Sequence, residues 1–186
     1  MATALDADCV SIDGSVPMFM QAPHVRAFWQ YLRTLPCPTG IIRLTDFDLM
    51  DIHRLAPEMI ICDVDIESCR NRIRFVGTRV VELFDEESTG RYLEEINIGP
   101  YRSQQLAAFN MAVASGCPQW TSVCVTRPAN EAIYAMRQPS VTYERLVVPL
   151  AGDGGVIAQL AAIVALGEGD CVRDGFQHMD VPIGRH

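Results

Sequence analysis

Lysine is absent. All 15 basic residues are arginine, set against 23 aspartates and glutamates, and the 186-residue chain carries a formal net charge of -8. A nucleic-acid interface neutralises phosphates with an excess of Lys and Arg, so this balance excludes DNA and RNA as expected partners. Long apolar runs are also missing. The best, residues 156–166, is broken by Gln159 and is far shorter than the roughly 20 residues a membrane span needs, so no membrane association is expected. The seven cysteines (Cys9, Cys37, Cys62, Cys69, Cys117, Cys124, Cys171) form no CxxC pair. Their odd number and irregular spacing indicate neither a zinc site nor a closed disulfide framework, and free thiols are expected. Cys62 and Cys124 lie in apolar, strand-like runs where a thiol serves as a small hydrophobe. Residues 1–15 contain three aspartates and no basic residue, the opposite of a secretory leader, which predicts a cytoplasmic protein.

Catalytic signatures are missing as well. There is no Gly-x-Ser-x-Gly elbow, no HExxH and no Gly-rich phosphate loop, and Gly152-Asp153-Gly154-Gly155 reads as a hairpin turn without the helix a phosphate cradle requires. Asp46, Asp48, Asp51 and His53 suit a solvated face with acids near a helix N-terminus better than a metal site. No catalytic residue and no metal are therefore expected.

What the chain does contain is periodicity. Residues 1–21 lack it and read as a mobile lead-in. Across 22–35, Val25, Phe28, Trp29 and Leu32 recur at the spacing of one helix face, and Pro36 and Pro38 end the element. Thr45 followed by acids predicts a short capped helix closed before Pro57. Residues 59–64 and 70–76 then read as an antiparallel hairpin, with Arg70, Arg72 and Arg74 alternating along one solvated face near Asp63 and Asp65. Residues 77–95 are short-helical, 100–115 form a longer helix stopped by Gly116, and residues 120–126, 141–150 and 156–166 are strands. The order predicts an α+β fold with one five-stranded antiparallel sheet. Residues 22–166 then make one domain, and 167–186 a loose tail.

Four stretches carry a resemblance. They are Arg74-Phe75-Val76-Gly77-Thr78-Arg79-Val80-Val81-Glu82-Leu83-Phe84 with Ser88-Thr89-Gly90-Arg91-Tyr92-Leu93, Phe28-Trp29-Gln30-Tyr31-Leu32-Arg33, Leu55-Ala56-Pro57 leading into Ile60-Ile61-Cys62-Asp63-Val64, and Tyr143-Glu144-Arg145-Leu146-Val147-Val148-Pro149-Leu150. Together they resemble a family of bacterial, largely alphaproteobacterial, stand-alone PAS-domain proteins. The chain departs from that family at Asp85, where Gly usually follows the Leu-Phe pair, and in a longer segment over 127–139.

The resemblance implies a PAS-like sheet with helices on one side, an N-terminal flanking helix, and a sensory or regulatory role without enzymatic activity. PAS domains of the haem type place a ligating His on the long helix, and 100–115 has none; the light-sensing flavin type needs a reactive Cys near 94–101, and there is none. No cofactor is expected. Phe75, Phe84, Tyr92, Phe109, Trp120 and Tyr143 are candidate walls of a cavity for a small organic ligand, with Arg79 and Gln105 as its polar anchors. Val25, Phe28, Trp29 and Leu32 are the candidate interface for a homodimer or for a signalling partner such as a histidine kinase. The alternative is a homodimerisation or interaction module whose cavity is filled by its own side chains.

Overall fold

The computed structural model describes residues 16–96, 101–126, 140–167 and 175–181. Helix α1 (Pro23–Leu32) is followed by a two-residue strand β1 (Ile42–Arg43). The hairpin β2 (Met59–Asp65) and β3 (Arg70–Val76) comes next, then helices α2 (Thr78–Phe84) and α3 (Arg102–Ser115). Strands β4 (Gln119–Thr126), β5 (Ser140–Ala151), β6 (Ile157–Leu166) and β7 (Gly175–Asp180) complete the order. The strands form one sheet in the order β3-β2-β6-β5-β4-β7, antiparallel throughout except that β1 joins β5 in parallel. Two strands, a helical stretch and three strands around an antiparallel sheet is the α+β plan expected from the sequence.

Both faces of the sheet are covered, which divides the core in two. On one face α1 buries Val25, Phe28, Trp29 and Leu32 against Trp120, Leu146, Val148 and Ile163. On the other, α2 and α3 cover Ile60, Ile73, Val147, Leu160 and Val164. Alternation along β5 assigns the sides: Tyr143, Arg145 and Val147 point to the α2/α3 face, and Glu144, Leu146 and Val148 to the α1 face.

Several expectations are corrected. The sheet has seven strands, not five. β7 falls in the stretch expected as a loose tail and pairs with β4 from Gln119↔Asp180 to Cys124↔Gly175, closing an edge that would otherwise be open. The lead-in is not free throughout: Met20 is fully buried and the Phe19 ring lies 4.8 Å from that of Trp120. The capped helix at Thr45 is a single 3-10 turn, Leu44–Asp46, without a side-chain cap, and Asp46 instead pairs with Arg43. The arginines do alternate along the outer side of β3, with Arg72 and Arg74 exposed and Arg74 3.6 Å from Asp63 as expected, but Arg70 is only partly exposed, stacks 3.5 Å from the Tyr92 ring centroid and pairs with Glu94 and Glu95. Cys37, Cys62, Cys69 and Cys117 are free as expected, but Cys124 is disulfide-bonded. The long segment 127–139 and Pro100 lie outside the described residues.

Gly77 leaves β3 with ordinary extended geometry (φ -75°, ψ 153°). Its constraint is contact: a Cβ there would stand 2.2 Å from the Ala56 carbonyl oxygen and 2.3 Å from that of Pro57. Gly90, at φ +86°, takes the left-handed conformation expected of it.

Candidate functional site

Between the sheet and α2/α3 lies a small cavity of about 20 Å³, room for about one water molecule. Its walls are mostly aliphatic or aromatic, from Ile60, Ile73, Val76, Val80, Leu93, Ile96, Phe84 and Phe109, with Glu86, Ser88 and Arg145 as polar members.

Arg145 is the chemically notable member. It is 1% exposed, in the middle of the central strand β5. Its Nη2 donates to Gln105 Oε1 at 2.6 Å, and Gln105 is itself fully buried on α3. Cζ stands 5.3 Å from the Phe109 ring centroid and 5.9 Å from that of Tyr143, within the range of cation–π attraction. Among the described residues Nε and Nη1 have no hydrogen-bond partner, and no carboxylate forms an ion pair with the guanidinium. Burial lowers its pKa, with Tyr143 and Cys62 acting in the opposite sense, but a guanidinium remains a cation inside a protein. The adjacent Glu144 cannot neutralise it, because successive strand residues face opposite sides of the sheet. Glu86, the carboxylate on the cavity wall, is engaged by Arg91 Nη1. Nearby, burial pushes the Cys62 thiol up to about 12, Asp63 adding to the shift and Arg145 opposing it.

Glu144 has a different task. Buried on the α1 face, its Oε1 accepts the backbone N–H groups of Gln21 (2.8 Å) and Ala22 (3.1 Å), and its Oε2 accepts Trp120 Nε1–H (3.2 Å). Ala22, the N-cap of α1, has no side-chain cap of its own. The carboxylate therefore satisfies donors at the helix N-terminus and faces the positive end of its dipole. A second tie runs around the end of the sheet. Glu58, 6% exposed, accepts Arg79 Nη1–H at 2.7 Å from α2 and hydrogen-bonds His24 Nδ1 of α1.

The eight sequence-derived ligand candidates separate by place. Phe84 and Phe109 line the cavity, with Tyr143 edge-on to Phe84 (centroids 5.8 Å apart) and Gln105 on Arg145. Phe75 and Trp120 pack on the opposite face of the sheet, toward α1. Tyr92 lies under Arg70 at the β3 edge, and the Arg79 side chain is 61% exposed on Glu58. Arg79 thus anchors elements, and the cationic group at the cavity is Arg145. The interface candidates Val25, Phe28, Trp29 and Leu32 are all fully buried on the chain's own sheet, so that face is not an open docking stripe. Among the described residues no cluster of His, Cys, Asp and Glu could hold a metal ion, and no helix is long and apolar enough to cross a membrane.

Arg145 escaped the sequence reading although a signal was there. Alternation places it on the same strand face as Tyr143 and Val147, inside a β-branched run, although it does not say which layer covers that face.

Neither a protein-family model nor a curated protein matches this chain. Among solved structures, the chain is similar to one described as a sensory box sensor histidine kinase from Vibrio cholerae, with 12% identity and a TM-score of 0.38 over 63% of this chain and 90% of that one.

Proposed function

We propose that this chain is a PAS-like sensory or regulatory domain without catalysis of its own, which converts a change at the Arg145 cavity into a change at the start of α1 and passes it to a partner protein. The observation that carries this reading is the back-to-back placement of Arg145 and Glu144 on β5. One residue faces the cavity, and the next holds the first amides of the outer helix. A displacement of β5 by a cavity occupant moves both. The Arg79–Glu58–His24 chain gives α2 a second hold on the same helix end. The partner is then a second copy of the chain or a signalling protein such as a histidine kinase, and it reads the α1 end instead of its buried stripe.

The reading is tested by hydrogen exchange at the Gln21 and Ala22 amides in a Gln105→Leu variant, which alters only the cavity side. Faster exchange at those two amides is expected. Unchanged exchange there, in a folded variant, would remove the coupling and the reading with it.

A second reading, an interaction module whose cavity is filled by its own side chains, is favoured by the cavity's small volume. It predicts a thermal stability indifferent to any small molecule, and self-association visible by light scattering.

A further inference from the structure

A cation sealed in an apolar wall with two of its three nitrogens unsatisfied is costly. An unpaired buried donor carries its full desolvation penalty, which is larger for a charged group. The missing partner is defined by what surrounds it. Gln105 takes one hydrogen of Nη2, so one bidentate edge of the fork, Nη2 with either Nε or Nη1, remains open. That edge matches a planar carboxylate. Among the described residues Arg145 is the one cation on the cavity wall, which suits a single negative charge better than a dicarboxylate or a phosphate dianion. The rest of the wall is mostly aliphatic or aromatic, which suits hydrocarbon, with Ser88 and the Arg91-paired Glu86 as its other polar members. The small volume, about 20 Å³, keeps the occupant short.

The wall best able to yield is α2 and the turn after it. That helix has seven residues, only Val80 of them fully inside, and it ends at Asp85 in the left-handed region (φ 52°). An occupant that presses on Val80 and Phe84 moves the helix that carries Arg79.

We propose that the Arg145 cavity is a receptor site for a short-chain aliphatic monocarboxylate, its carboxylate on the open edge of the guanidinium and its hydrocarbon against Ile60, Ile73, Val76 and Leu93. The proposal rests on the sensory reading above and specifies its ligand class.

The test uses the full chain, isobutyrate as probe and isobutyramide as its uncharged isostere, with formate, acetate, propionate and valerate to set the length. Isobutyrate is expected to raise the melting temperature saturably and to bind by calorimetry at least about tenfold more tightly than the amide, the difference being the charge-assisted pair. Arg145→Met is expected to fold with a melting temperature equal to or above that of the wild type, because it removes an unpaired buried charge, and to lose the response to isobutyrate. Equal responses to acid and amide, no response to any of the acids, or a response retained in Arg145→Met would each overturn the proposal. If Arg145→Met does not fold, the Arg145 Nε–H resonance of the wild-type protein decides. It must shift saturably with isobutyrate and stay still with isobutyramide, and an unmoved resonance overturns the assignment. Isobutyrate binding that leaves the Gln21 and Ala22 amides unmoved supports the ligand class and defeats the sensory reading. A neutral ligand that moves those amides where carboxylates do not bind defeats the ligand class alone.

Discussion

A methyl group at position 77 has nowhere to go. The carbonyl oxygens of Ala56 and Pro57 lie inside contact distance of any Cβ; Ala56 O accepts the Met59 N–H, and Gly77 N–H is held by Met59 O at 2.8 Å. Gly77→Ala is therefore expected to cost about 2–3 kcal/mol in chemical denaturation, the scale of overpacking a filled site. The sequence shows a glycine at a strand end and suggests conformational freedom, but the real constraint is the approach of a segment 20 residues earlier, which no local pattern reveals. Asp85 is the reverse case. It is an aspartate in the left-handed region (φ 52°, ψ 35°) that closes α2, so a side chain bears strain that a glycine would not. Asp85→Gly is expected to stabilise the fold by about 0.5–1 kcal/mol, read as a higher denaturation midpoint with an unchanged slope. The thiols separate just as clearly. With its pKa near 12, Cys62 presents about one thiolate in ten thousand at pH 8, whereas Cys69 is exposed. Ellman's reagent on the native protein is expected to modify Cys69 and to reach Cys62 only after unfolding.

At the scale of elements, β5 is where the two halves of the core meet. Its sequence, Ser-Val-Thr-Tyr-Glu-Arg-Leu-Val-Val-Pro-Leu-Ala, announces a strand plainly. It does not announce which charged residue faces which layer, because a sheet covered on both faces has no solvent side to break the ambiguity. For the same reason the strand residues Phe75 and Trp120 read in sequence as cavity walls, although the sheet separates them from the cavity. The strands missed altogether were those with little intrinsic signal. β1 is two residues long and exists by pairing with Leu150 and Ala151, and β7 reads Gly-Phe-Gln-His-Met-Asp and exists by pairing with β4. Glu144 gives β5 its measurable role. Glu144→Ala strands two backbone amides and the Trp120 indole N–H in a buried setting, each costing about 1–3 kcal/mol, so a loss of about 3 kcal/mol or more is expected. Faster exchange at Gln21 and Ala22 should accompany it. A loss below 1 kcal/mol would mean that water enters and replaces the carboxylate.

For the whole molecule, the question is how far α1 can move. Its four inward side chains, Val25, Phe28, Trp29 and Leu32, are fully buried, and each contributes about 1.5–3 kcal/mol by burial. Lifting the helix off the sheet would then cost roughly 6–12 kcal/mol, as much as the entire stability of an ordinary domain, about 5–15 kcal/mol. A signal that requires α1 to leave and present that stripe to a partner is excluded on magnitude. A signal that re-registers only its first turn is not, since the ties there are a few hydrogen bonds from Glu144 and Glu58, each within reach of the differential affinity of a small ligand. The same arithmetic applies to truncation. A chain begun after residue 35 would expose Trp120, Leu146, Val148 and Ile163 as a continuous apolar face, and it is expected to lose cooperative thermal unfolding or to associate through that face in light scattering. A truncated protein that stayed monomeric and melted cooperatively would show that the α2/α3 side alone sustains the sheet, and α1 would then be free to serve as the detachable arm that its burial otherwise forbids.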